Sequence, residues 1–257
     1  MKKTSPALAL CALLVLAATA VGEQVQKGNL LASFQGSISP STLPRTDSAP
    51  VTVQMGGKIR TTDRTTPPKL TEIVLQINSH GLIQTRGLGT CTLAKLAALT
   101  SAAAKKHCAD ALVGHGNVTS RVSLPGQGAF ASNGLLLAFN GTYRGKRAVF
   151  AQVESGQPLP LAYVIIFQIE KTRGTFGTQL IGTLPPIASE YGYITAFHLS
   201  LGRRYTYRGK KLSYASASCP APQGFGAVVF PMAKAFYRFE DGRVLSSKIE
   251  RICKVRG

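Results

Sequence analysis

The chain has 257 residues, with 30 Lys and Arg against 11 Asp and Glu and a formal net charge of +19. A positive excess of this size attracts polyanions such as wall or lipid phosphates, acidic polysaccharide and nucleic acid, and it equally suits a protein kept soluble by charge alone. The basic residues are spread along the chain, with no zinc-finger spacing and no basic-region helix, which argues against nucleic acid as the partner.

The N-terminus, MKKTSPALALCALLVLAATA, has Lys2 and Lys3, an apolar run from Ala7 to Ala18 and a small-x-small site at Ala18-Thr19-Ala20. This pattern reads as a secretory signal peptide, residues 1–20, cleaved after Ala20. The run is short for a membrane span of roughly 20 residues, and no later stretch is apolar enough to serve as one. Cleavage removes Lys2 and Lys3 and leaves 28 basic against 11 acidic residues, a charge of +17. An exported, extracytoplasmic protein of the cell envelope is expected.

Residues 21–70 read as a loop-rich segment with edge strands, with Val51 to Gln54 as one strand. Residues 71–257 read as the body of the same domain. TEIVLQIN sets Ile73, Leu75 and Ile77 against Glu72, Val74 and Gln76, the period of a half-buried strand. The stretch 92–107, TLAKLAALTSAAAKKH, is rich in helix formers. GHGN, Gly114 to Asn117, reads as a loop. YVIIFQIE puts Tyr163, Ile165, Phe167 and Ile169 on one side, and TAFHLSL puts Phe197, Leu199 and Leu201 opposite His198 and Ser200. AFYRFEDGRVL carries Asp241-Gly242 between two strand-like runs, a hairpin signal. Many short strands punctuated by 26 Gly and 14 Pro predict a mainly β fold, an antiparallel β-sandwich with a small disulfide-clipped helical insertion near residues 91–110.

Four cysteines remain after export: Cys91, Cys108, Cys219 and Cys253. In an oxidising compartment they favour two disulfides over a metal site. Cys91–Cys108 and Cys219–Cys253 are expected because each joins sequence neighbours. A single helix over 92–107 would hold Cys91 and Cys108 roughly 25 Å apart, against the ~7 Å a disulfide tolerates. Two short helices that fold back, with Thr100 or Ser101 capping the second, satisfy both requirements.

Two stretches echo each other: TYRGKRAVFA at 142–151 and TYRGKKLSYA at 206–215. Each places Arg-Gly between strand-like arms, where glycine supplies the positive φ of a tight turn. The candidate ligand-binding surface is therefore a pair of basic hairpins: Tyr143, Arg144, Lys146 and Arg147 in one, and Arg203, Arg204, Tyr205, Tyr207, Arg208, Lys210 and Lys211 in the other. Solvated hairpin ends explain the same residues without a ligand.

Catalytic signatures are thin. There is no Gly-x-Ser-x-Gly elbow and no phosphate-binding glycine loop. His80, His107, His115 and His198 lack metal spacing, so neither metal nor cofactor is expected. A site assembled in space from His198, a serine and an acid would make the chain an extracellular hydrolase. Asn117-Val118-Thr119 and Asn140-Gly141-Thr142 match a glycosylation acceptor by chance in a chain with a bacterial-looking signal.

The runs CADALVGHGNV, LPGQGAF, LLLAFNG, KTRGTFGTQL, SCPAP and CKVRG resemble a group of uncharacterised exported bacterial proteins, over most of the chain after about residue 30. The resemblance implies secretion, paired cysteines and a β-rich body, and no site. The expected function is a non-enzymatic binding protein that meets anionic wall polymer or acidic polysaccharide through its basic surface.

Overall fold

A computed structural model describes residues 23–156, 161–186 and 192–256. The expected signal sequence lies outside them. The N-terminal segment holds β1 (Glu23–Lys27), β2 (Leu30–Ser39), β3 (Thr42–Leu43), β4 (Ala49–Pro50) and β5 (Thr52–Thr61). β6 (Leu70–Asn78) and β7 (Gly81–Ile83) precede two helices, α1 (Leu93–Ala98) and α2 (Ser101–His107). Then come β8 (Leu112–Val122), β9 (Phe130–Tyr143), β10 (Lys146–Ser155), β11 (Leu161–Lys171), β12 (Phe176–Thr183) and β13 (Gly192–Leu201). The chain ends with β14 (Arg204–Tyr207), β15 (Lys210–Ser213), β16 (Ala215–Ala217), β17 (Ala227–Phe239) and β18 (Val244–Val255).

Thirteen strands form one sheet, in the order β1-β2-β5-β13-β8-β9-β10-β11-β12-β6-β17-β18-β3. Among the described strand pairs only β18 with β3 is parallel, and Cys91 adds an isolated parallel bridge to Gly141. Sheets this wide rarely stay open, because strand twist accumulates until they curl or split. Here the sheet curls, and β18 packs against β1 and β2. Side chains close that seam. The Ser247 hydroxyl donates to the Glu23 carbonyl at 2.7 Å, the Lys248 amide to the Glu23 carboxylate at 2.7 Å, and Arg251 Nε to the Gly36 carbonyl at 2.6 Å. One curled sheet thus stands where two facing sheets were expected. The strands are longer than the sequence pattern suggested, up to 14 residues in β9, and thirteen of them share one hydrogen-bonded order.

The alternations read from the sequence face the interior: Ile73 and Leu75, Tyr163 and Ile165, and Phe197 and Leu199 all belong to the central apolar cluster. Two expectations are corrected. The strand expected at Val51 to Gln54 runs on to Thr61. Gly56-Gly57 looks like a turn in sequence, but a Cβ at Gly57 would come within 2.6 Å of the Phe197 ring and 2.7 Å of the Tyr237 hydroxyl. The supposed loop Gly114–Asn117 lies inside β8. There a Cβ at Gly116 would sit 1.9 Å from the His198 carbonyl oxygen, so the glycine serves a close strand contact.

α1 and α2 lie outside the sheet, α1 over β10 and β11 and α2 over β10. Leu96 and Ala104 pack with Leu137, Phe139 and Phe150 in a second apolar cluster, so the middle of β10 is buried on both faces. Thr92 and Thr100 cap the two helices, their side chains accepting from the Lys95 and Ala103 amides. Buried Gln152 on β10 donates from Nε2 to the carbonyls of Leu96 and Leu99, at 2.9 and 2.7 Å. The disulfides are Cys91–Cys108 and Cys219–Cys253, with Cα separations of 5.6 and 5.7 Å. Among the described residues no helix is long and apolar enough to cross a membrane.

Candidate functional site

Both Arg-Gly echoes are two-residue hairpin turns. Arg144 and Gly145 have φ of 49° and 75°, and Arg208 and Gly209 have 48° and 73°. Positive φ at both central positions is the geometry that matches the twist of the flanking strands. In each hairpin the arginine folds back over the tyrosine before it: the Arg144 guanidinium carbon is 5.2 Å from the Tyr143 ring centre, and that of Arg208 is 5.3 Å from Tyr207. An arginine in the left-handed region carries a steric cost that Asn or Gly largely avoids. Among the described residues the non-glycine positions with positive φ are Arg64, Arg144 and Arg208.

The hairpins flank one connecting segment. Arg147 Nη2 donates to the Ile83 carbonyl at 2.8 Å. The Tyr205 hydroxyl donates to the Arg86 carbonyl at 2.9 Å. The Tyr207 ring lies so close over Gly87 that a Cβ there would be 2.3 Å from Cδ2. Asn140, at the end of β9, donates to the Gly89 carbonyl at 2.8 Å. The residues expected in the basic surface therefore divide. Tyr205, Tyr207, Arg147 and Arg203, which donates to the Ala109 carbonyl at 3.2 Å, fasten the hairpins down. Burial raises the Tyr205 hydroxyl above its ordinary pKa. Lys146 pairs with Glu170 at 3.4 Å; the Gln179 amide and Lys146 together hold that carboxylate below its usual range. Arg144, Arg204, Arg208, Lys210 and Lys211 are exposed. Among the described residues none of these five has an acidic partner, the four ion pairs lying elsewhere or on Lys146.

A second feature, invisible in the residue pattern, is an apolar cavity of about 150 Å³ inside the curled sheet. Side chains from every strand between β5 and β13, and from β2, β16 and β17, line it. One side of it is the small sheet formed by β4, β16 and β7. Inward side chains along it, such as Val53, Met55, Ile77, Phe167 and Leu199, are only half-buried. Alternating apolar residues look the same in sequence whether they pack together or face a void. That is why periodicity could not reveal it.

The histidines do not converge. His198 borders a shallow depression with Gln35, Gln54, Met55 and Arg251, and no carboxylate lines it. His115 is exposed on the neighbouring strand β8. His80 sits at the polar end of the cavity with its Nδ1 3.1 Å from the Ser218 hydroxyl. Among the described residues no group of three or more His, Cys, Asp or Glu is placed to hold a metal ion. Asn140 of the second glycosylation match is 3% exposed.

No family model, no curated protein and no solved structure matches this chain.

Proposed function

We propose that the protein works outside the cytoplasm as a non-enzymatic binding protein and that its paired basic hairpins engage an anionic polymer of the cell envelope. The observation that carries this reading is the arginine at the first position of both turns. Backbone strain is retained where something requires it, and here it holds a cation at each hairpin tip that no acid among the described residues neutralises. The two disulfides support an oxidising compartment. Contacts to such a polymer are mainly electrostatic, so affinity falls steeply with salt, by the counterion-release relation established for nucleic acid. The test is binding to purified anionic wall polymer across salt concentrations, with Arg144, Arg204, Arg208, Lys210 and Lys211 changed to Gln. The variant should bind at least tenfold more weakly at low salt and show a flatter salt dependence. Equal binding at every salt concentration refutes the reading.

The His80–Ser218 pair favours a second reading, an extracellular esterase with Ser218 as nucleophile and His80 as base. It requires turnover of a short p-nitrophenyl ester that Ser218→Ala abolishes. No turnover by the parent protein eliminates it.

A further inference from the structure

We propose that the cavity inside the curled sheet holds the hydrocarbon chain of a single-chain, medium-length acyl amphiphile, with the polar head at the His80–Ser218 end. Protein interiors seldom keep voids much larger than one water, and an empty one destabilises in proportion to its size. At about 150 Å³ this cavity is well beyond that size. Its volume is modest, yet its lining draws on most of the strands. Apolar side chains therefore surround the space on all sides, as the hydrocarbon part of an amphiphile requires. Small residues help to leave the space: Ala151 and Ala233 stand opposite Ile165 and Ile77 in the lining.

The polarity is distributed as an amphiphile requires. Asn78, His80, Ser216 and Ser218 gather where β6 leads into β7 and meets β16, and the strands beyond present aliphatic and aromatic groups. Water gains little from such walls, because it needs two to four polar partners. The positive charge of the chain and the Arg147 guanidinium, bound to the Ile83 carbonyl beside this end, favour an anionic head such as a carboxylate. This site is separate from the exposed faces of the basic hairpins, and its test does not depend on them.

The probes are sodium octanoate, decanoate and dodecanoate, followed by calorimetry and native mass spectrometry on the full mature chain. Decanoate should bind one to one with a negative heat-capacity change. Within the length the cavity accepts, each methylene removed should weaken binding about fourfold. Ala233→Phe, which fills the space, should lower affinity at least tenfold. Ala151→Leu is the second filling variant, should the first fail to fold. Vesicles of phosphatidylglycerol form a parallel arm. Binding of free decanoate identifies a carrier of free acids. Filling-sensitive binding to vesicles alone identifies capture of a membrane-held chain. Binding of neither probe, affinity independent of chain length, or unchanged affinity in both filling variants overturns the proposal.

Discussion

Arg147 Nη2 and the carbonyl oxygen of Ile83 lie 2.8 Å apart, and this hydrogen bond ties the β9–β10 hairpin to β7, part of the small sheet beside the cavity. β7 has three residues and is paired along one edge only, with β16. Strands this short depend on outside contacts. Arg147→Met should leave global stability nearly unchanged, since Arg147 is exposed and charge-assisted bonds at such sites are screened. Amide exchange at residues 81–84 should accelerate about fivefold, as expected for an opening made easier by about 1 kcal/mol. Exchange at the parental rate would show that the bond contributes nothing to holding the strand.

The two hairpin turns give a test in which stability and binding move in opposite directions. Asparagine tolerates positive φ better than arginine. Arg144→Asn and Arg208→Asn should each stabilise the fold by about 0.5 kcal/mol, seen as a higher urea midpoint. Binding to anionic polymer should weaken in the same variants. A loss of stability would mean that the stacks on Tyr143 and Tyr207 outweigh the backbone strain.

Gln152 is a buried polar residue whose amide serves α1 alone. Gln152→Met keeps the bulk and removes both donors, leaving the Leu96 and Leu99 carbonyls short of partners. Stability should fall by about 2 kcal/mol. Exchange should rise first in α1, ahead of the sheet. Loss confined to the sheet would contradict the assignment.

The helical pair and the β18 end are each clipped by a disulfide, with sequence separations of 17 and 34. Replacing Cys91 and Cys108 by Ser should cost about 3 kcal/mol, and replacing Cys219 and Cys253 nearer 4 kcal/mol, the longer loop constraining the unfolded chain more. Urea midpoints of the two double variants measure both.

Three buried tyrosines set the alkaline limit. Burial pushes the Tyr163 hydroxyl up to about 12 and lifts Tyr214 and Tyr237 still further. A phenol whose folded pKa is raised holds its proton after the unfolded chain has lost it. Its stabilisation is therefore complete below pH 10 and is lost as pH rises toward 12 and above. The urea midpoint should fall steadily over that range. The phenolate absorbance of these three residues should grow only with unfolding, and its growth in the folded protein near pH 10 would contradict their burial.

Local pattern in the sequence was enough for the inward faces of β6, β11 and β13, the fold-back of α1 and α2, both cysteine pairs and both Arg-Gly turns. Each depends on neighbours a few residues apart or on chain reach. What the sequence hid depends on partners far along the chain. β5 continues through Gly56-Gly57 because Phe197 and Tyr237 occupy the space a side chain would need. Arg147 and Tyr205 carry the composition of a binding surface, yet they are committed to the carbonyls of Ile83 and Arg86. The cavity leaves no periodic signal at all, since an inward leucine is written the same way above a void as above a phenylalanine.

The place of β17 and β18 in the sheet governs when the protein can finish folding. β17 bridges to β6, which precedes it by most of the chain length, and β18 completes the seam with β1 and β2. Pairings this distant in sequence are slow to form. β8 to β12 can meander together as they emerge, but the curl stays unzipped until the last thirty or so residues arrive. A chain threaded N-terminus first through a membrane would thus remain pliant throughout its passage, and would lock only once its final strand had cleared the far side.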